Sequence, residues 1–132
     1  MNDSVKTLKA EVRDVLENNI LCFWLNHMQD CENGGFYGQM TGEGRLVKDA
    51  EKGAILNARI LWSFSAAYRV LKKPEYMQMA TYAKEYFIEH FIDTTYGGVY
   101  WSVDYKGQPL DTKKQFYAIG FAVYGLSEYA RA

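Results

Sequence analysis

The sequence predicts an all-α protein of stacked helical hairpins, forming part of a solenoid or a closed toroid. Three observations carry this. Gly34-Gly-Phe-Tyr37 returns as Gly97-Gly-Val-Tyr100, a step of 63 residues from 34 to 97. Leu61 to Arg69 returns as Val123 to Arg131, a step of 62 from 69 to 131. In each unit an amphipathic run precedes the Gly-Gly loop and a wholly apolar run follows it. Units of this length bury their apolar faces by stacking on one another. The alternation assigns layers: amphipathic helices with one wet face form an outer ring, and all-apolar helices form an inner ring.

The elements follow in order. Asp3 or Ser4 suits the cap of a first helix. Val5, Leu8, Val12, Val15, Leu16, Asn19 and Phe23 recur at steps of three and four, with Lys6, Lys9, Glu11, Arg13, Asp14 and Glu17 opposite. That pattern predicts a helix lying on the core and running to about His27. Asp30 to Gly35 breaks it, because Gly34 and Gly35 reach backbone angles closed to other residues. Phe36–Met40, the turn Thr41–Gly44 and Arg45–Val47 read as a short hairpin. The first inner helix is expected from about Asp49 to Arg69 and is stopped by Leu71-Lys-Lys-Pro74. Pro74 fits the first position of the next helix, where its missing N–H does no harm.

Glu75 to Ile92 is amphipathic again, with Tyr76, Ala80, Ala83, Phe87 and Phe91 on one side and Lys84, Glu85 and Glu89 away from it. Val99–Val103, Asp104–Gly107 and Gln108–Leu110 predict a second hairpin. Thr112-Lys-Lys-Gln115 has the form of a capping box ahead of Phe116–Leu126, which is apolar on all sides. The 132 residues read as part of one domain. Two units leave the second and fourth helices open on at least one side, a large apolar patch. Residues 1–132 are therefore expected to be the N-terminal portion of a longer domain. About six repeats, roughly 380 residues, would close a double ring of twelve helices.

Composition narrows the function. Net charge is -1 and the pI about 6.1, so there is no basic face for nucleic acid or an anionic membrane. No apolar stretch reaches membrane-spanning length without a charge, and Met1-Asn-Asp-Ser-Val-Lys lacks the apolar run of a signal peptide. A cytoplasmic protein is expected. Cys22 and Cys31 make no disulfide framework, and free thiols are expected. Eleven Tyr, seven Phe and three Trp suit a core; they equally suit a carbohydrate pocket, where ring faces stack on sugar C–H faces.

One residue stands out. The run Lys52 to Tyr68 is apolar almost all round, which predicts burial on every side, yet Arg59 sits in its middle. A guanidinium keeps its charge, and an unpaired buried cation is very costly. Arg59 is expected to meet a carboxylate, a set of oxygens or a wet cavity.

Asp30-x-Glu-Asn-Gly-Gly-Phe-Tyr-Gly38, Lys52-Gly-x-Ile-Leu-x-x-Arg-Ile-Leu-Trp62, Tyr96-Gly-Gly-Val-Tyr-Trp101 and Tyr117-x-x-x-Phe-Ala-x-Tyr-x-Leu-Ser127 occur in this order. Together they resemble the N-terminal third of cellobiose 2-epimerases, within the N-acylglucosamine 2-epimerase superfamily. The resemblance covers essentially the whole chain and implies an (α/α)6 barrel. It implies a disaccharide substrate, with the reducing-end glucose of cellobiose or lactose converted to mannose without metal, nucleotide or other cofactor. In that reaction the ring opens, a histidine removes the C2 proton, and a second histidine returns it to the other face of the enediolate.

The resemblance implies that Arg59 binds sugar oxygens near the reacting centre and that Tyr117 hydrogen-bonds the sugar. The competing readings are an inter-helix ion pair for Arg59 and a core tyrosine for Tyr117. Ile119 stands where the family often has Gln. Phe36, Tyr37, Tyr100 and Trp101 either line the pocket or, the favoured reading, pack within the hairpins. His27 and His90 match no catalytic position of the family and read as helix-end residues that suit the dipole. The resemblance places the catalytic histidines in later repeats, so these 132 residues are expected to hold no catalytic group and to be inactive alone.

Other readings compete. An N-acylglucosamine 2-epimerase or a mannose isomerase fits the same superfamily. A glycoside hydrolase on the same toroid needs two carboxylates across a scissile bond, and Glu51, Asp93, Asp104 and Asp111 single out no pair. A non-catalytic helical-repeat module would tolerate loss of Arg59 and Tyr117.

Overall fold

A computed structural model describes residues 2–132. The chain opens on α1 (Asp3–Val15). Its cap is Asn2, whose side chain accepts the Ser4 N–H at 3.3 Å; Asp3 and Ser4 lie inside the first turn and do not cap it. The helical path continues to Met28 through two π-helical segments, Leu16–Leu21 and Trp24–Met28. The first holds Asn18 and Asn19, poor helix formers at the point where the winding loosens.

The expectation that the whole first helix lies on the core is corrected here. Val5, Leu8, Val12 and Val15 are 49–60% exposed, and nothing in α1 is buried. Their stripe has the right period but only borders an open groove shared with Val70 and Leu71. Core contact begins only with Leu16 and becomes burial at Leu21 and Met28.

The other helices are α2 (Ala54–Leu71), α3 (Pro74–Phe91) and α4 (Phe116–Arg131). α2 packs against both α3 and α4. It starts five residues later than expected because Lys52–Gly53 forms strand β1. It ends where Lys72 turns left-handed, φ 56°, with its N–H on the Tyr68 carbonyl. Pro74 lies in the first turn of α3, as its missing donor allows. α3 buries the expected Tyr76, Ala80, Ala83, Phe87 and Phe91, and also Met79 and Tyr86. The capping box before α4 does not form: Gln115 is the cap residue and makes no side-chain bond to the helix.

α2 and α4 run parallel. Ala54 and Ala58 share a cluster with Ala118 and Ala122, and further along Arg69 Nε donates to Glu128 Oε1 at 2.7 Å. Gly125 allows the close crossing: a Cβ there would lie 2.6 Å from the Ala58 carbonyl oxygen. The two apolar helices, expected to be enclosed, are half open. Phe116, Tyr117, Val123 and Tyr124 of α4 are 43–92% exposed.

The hairpins are shorter than expected. In the first, only Met40 and Leu46 pair. In the second, β2 (Ser102–Val103) pairs antiparallel with β3 (Pro109–Asp111), and β1 joins the other edge of β2 through Lys52–Val103 and Gly53–Ser102. The small sheet thus ties the second hairpin to the start of α2. Among the described residues no helix is long and apolar enough to cross a membrane. Cys22 and Cys31 are both free and exposed.

Candidate functional site

Arg59 lies on α2 as the sequence places it, but it is exposed, not enclosed. The reason is geometric. Ala54, Ala58, Leu61, Phe64 and Ser65 turn inward, while Arg59 and Ser63 face an open concavity bordered on its far side by Ile20 and Trp24. Among the described residues Arg59 enters no ion pair, whereas Arg13, Arg45, Arg69 and Arg131 each reach a carboxylate. It borders a concavity of about 290 Å³ walled by Trp24, Leu56, Ser63 and Phe64.

Tyr117 is the second residue of α4 and is 63% exposed, outside the core of this chain. Its ring meets Phe121 edge-on at 5.0 Å, Phe121 meets Tyr124 edge-on at 5.8 Å, and Tyr124 stacks on Trp62 at 5.0 Å and 8°. A row of four rings therefore crosses from the N-terminal end of α4 to α2, arriving one turn after Arg59. Arg59 and Tyr117 sit in the N-terminal halves of adjacent parallel helices, on surface that the chain leaves open.

The Gly-Gly loops hold these helix ends, by a device repeated in both units. Asp30 Oδ1 accepts the N–H groups of Glu32 and Asn33, its N–H bonds the Gly35 carbonyl, and its Oδ2 accepts Lys52 Nζ at 2.8 Å. Asp93 does the same with Thr95, Tyr96, Gly98 and Lys114, the last at 2.7 Å. Gly34, Gly35, Gly97 and Gly98 all have positive φ, 67–82°, which side chains rarely adopt. Each lysine stands two residues before its inner helix, so each pin fastens a loop to a helix start.

The two pins differ in surroundings. Lys52 and Asp30 are both 0% exposed, and Tyr86 lies over Gly34 and Gly35. Burial raises the Asp30 carboxyl, but the Lys52 hydrogen bond and the Asn33 and Glu32 N–H groups outweigh it and the net shift is downward. Burial also pushes the Tyr86 phenol well up, and among the described residues its hydroxyl is a buried group without a partner. In the second unit the Lys114 side chain is 31% exposed, and its hydrogen bond holds the Asp93 carboxyl at about 2.

Sequence reasoning missed these pins. The signal was present: Asp30 to Lys52 and Asp93 to Lys114 are 22 and 21 residues apart, within the same repeat that aligns the Gly-Gly loops.

The remaining candidates sit as follows. Phe36 and Tyr37 are buried within the first loop, and Tyr100 and Trp101 are half-buried beneath Lys114 and Lys113. His90 Nδ1 lies 3.0 Å from the Gly107 carbonyl, so it ends α3 and braces the second hairpin. His27 ends the second π-helical segment beside Phe23. Neither histidine borders the Arg59 concavity. Each loop carboxylate is engaged locally: Glu51 by Ser102, Asp93 by Lys114, Asp104 by the Lys106 and Gln108 N–H groups, and Asp111 by Lys113. What stays open is a fixed cation, a phenol and several ring faces. That set has the chemistry that suits a polyhydroxylated ligand, and among the described residues it holds no free acid–base pair.

Comparison with known proteins identifies the family. The sequence of the cellobiose 2-epimerase of Bacteroides fragilis is 61% identical over 125 residues, covering 95% of this chain and 32% of that protein. The structure of cellobiose 2-epimerase from Bacillus thermoamylovorans superposes with a TM-score of 0.93 at 49% identity, over 96% of this chain and 32% of that one. That from Spirochaeta thermophila gives 0.92 at 37% identity, over 98% and 32%. The chain spans about a third of the length of the curated relatives it matches. The N-acylglucosamine 2-epimerase (GlcNAc 2-epimerase) family model matches residues 35–132, taking in the second Gly-Gly loop and both inner helices. With the loops, the inner-helix pair and the sequence all in agreement, the chain belongs to the N-acylglucosamine 2-epimerase family.

Proposed function

We propose that residues 1–132 supply the first third of an (α/α)6 barrel whose complete form epimerises the reducing-end sugar of a β-1,4-linked disaccharide at C2. α2 and α4 are two of its inner helices, and α1 with its π-helical continuation and α3 are two of its outer ones. The observation that carries the reading is Arg59: an unpaired fixed charge on the open side of an inner helix, beside a row of rings. Proton removal beside a carbonyl leaves negative charge on oxygen, and a preplaced guanidinium stabilises it most where water is excluded. Tyr117 donates to a second sugar oxygen and so fixes orientation. The proton-transferring imidazoles come from repeats other than these two, so the chain alone turns over no sugar.

The names of the similar proteins support cellobiose as the substrate class. The test is a chimera in which this chain replaces the aligned segment of the Bacteroides fragilis enzyme. The expected result is a mannose-ended disaccharide formed from cellobiose, seen by sugar chromatography. A folded chimera without turnover, or one that releases free glucose, overturns the proposal.

A further inference from the structure

The two inner helices are held differently at their starts. α2 is held several times over. Lys52 bonds Asp30, strand β1 pairs with β2, the Ala54 N–H donates to the Trp101 carbonyl at 3.0 Å, and Asn57 Nδ2 donates to the Gly53 carbonyl at 2.9 Å. α4 lacks the strand and the side-chain bond to its first turn. Residues 112–115 lie in neither helix nor strand, and Gln115 makes no capping bond. Ala118 and Ala122 seat the body of α4 on Ala54 and Ala58, but that cluster begins after Tyr117.

The second Gly-Gly loop reaches the start instead. Lys114 Nζ donates to Asp93 Oδ2 at 2.7 Å and lies 4.0 Å from the centre of the Tyr100 ring. Asp93 Oδ1 accepts the Thr95 and Tyr96 N–H groups, so one carboxylate ties the loop to the approach to the helix. That carboxyl is held at about 2, which keeps it charged throughout the neutral range. The lysine stem passes beside Gly98: a Cβ placed there would lie 3.4 Å from Lys114 Cδ and 3.9 Å from Ile119 Cδ1. The loop thus meets the chain three residues before Tyr117 and two residues after it. All these contacts lie inside the second unit, so none depends on what packs beside it.

We infer that Lys114 and Asp93 are positioning residues for Tyr117: their ion pair fixes the first turn of α4 and with it the direction in which the phenol meets the sugar. The assignment rests on the sugar-binding role proposed above for Tyr117. Lys114 acts through that phenol and touches no substrate, because its ammonium is spent on Asp93 and the Tyr100 face.

The test is made in the chimera, with kcat and KM for cellobiose and the melting temperature measured on each variant. Lys114→Met should lower kcat/KM about tenfold, the loss expected for the one hydrogen bond of Tyr117. In a Tyr117→Phe background it should lower kcat/KM no further, since groups that act through one contact are not additive. Lys114→Arg keeps the ion pair and should restore most of the activity. Lys113→Met removes a neighbouring charge that bonds Asp111 at 2.9 Å, not the loop, and should leave kcat/KM unchanged. Losses that multiply to about 100-fold in the double variant make Lys114 an independent contact and overturn the inference. Full kcat/KM in Lys114→Met, or a loss matched by unfolding, also overturns it. A second readout needs no turnover. The Ile119 N–H bonds the Gln115 carbonyl at 3.1 Å, and its hydrogen exchange should quicken in Lys114→Met but not in Lys113→Met. Unchanged exchange overturns the inference as well. A folded parent chimera without turnover removes the epimerase reading, and exchange at Ile119 still decides whether the ion pair orders the first turn.

Discussion

Replacing Lys52 by Met keeps the aliphatic stem and deletes the charge. Its Nζ lies 2.8 Å from Asp30 Oδ2 and 2.6 Å from the Gly34 carbonyl, and both side chains of the ion pair are 0% exposed. The variant leaves the Asp30 carboxylate buried with only the Glu32 and Asn33 N–H groups on its other oxygen. Removing one partner of such a buried pair costs about 3–5 kcal/mol. Lys114→Met deletes the equivalent cation where the lysine side chain is 31% exposed, against 5% for Asp93, so the pair is open to water on the lysine's side only. Partial access of water makes this loss smaller than that of the fully enclosed pair. Urea unfolding of the wild type and the two variants at pH 7 measures both. Equal losses, or a Lys52→Met loss within about 1 kcal/mol of zero, would refute the argument that burial separates the two pins.

Further outcomes follow from the same geometry. Gly125→Ala places a methyl 2.6 Å from the Ala58 carbonyl and forces α2 from α4, so it should lower stability by about 1–3 kcal/mol despite the better helix former, read by thermal melting. The Asp93 carboxyl sits at about 2 against an ordinary 3.8 because Lys114 bonds it. A depressed carboxyl adds stability above its unfolded value and loses it as pH falls toward its folded one. The urea midpoints of wild type and Lys114→Met should therefore converge as pH falls from about 4 to about 2, and a constant gap would contradict this. Tyr117→Phe should keep the melting temperature of the isolated chain, where the ring is 63% exposed, while turnover of cellobiose by the chimera falls about tenfold through one lost hydrogen bond.

Much of the layout was legible because it rests on period. The Gly-Gly loops, the placing of Pro74 and the buried side of α3 all follow from spacing and backbone chemistry. The exposure of Arg59 was not legible. An all-apolar helix is enclosed only when every neighbour is present, and two units provide neighbours on one side of α2 alone. The same shortage leaves Val5, Leu8 and Val12 uncovered although their pattern is correct. Strand β1 displaced the predicted helix start because Lys52 is held by Asp30 and by the sheet, and tertiary pairing overrides local propensity. The capping box failed because α4 starts later than the box requires: Gln115, not Thr112, precedes its first turn.

The central claim is that Arg59 serves a ligand and not the fold. Arg59→Ala in the chimera tests it most directly, with stability and cellobiose turnover measured on the same sample. The exposed, unpaired side chain predicts an unchanged melting temperature together with a loss of turnover of about 100-fold or more, the usual effect of removing a charge-stabilising donor. Retained turnover, or a loss matched by unfolding, would contradict it.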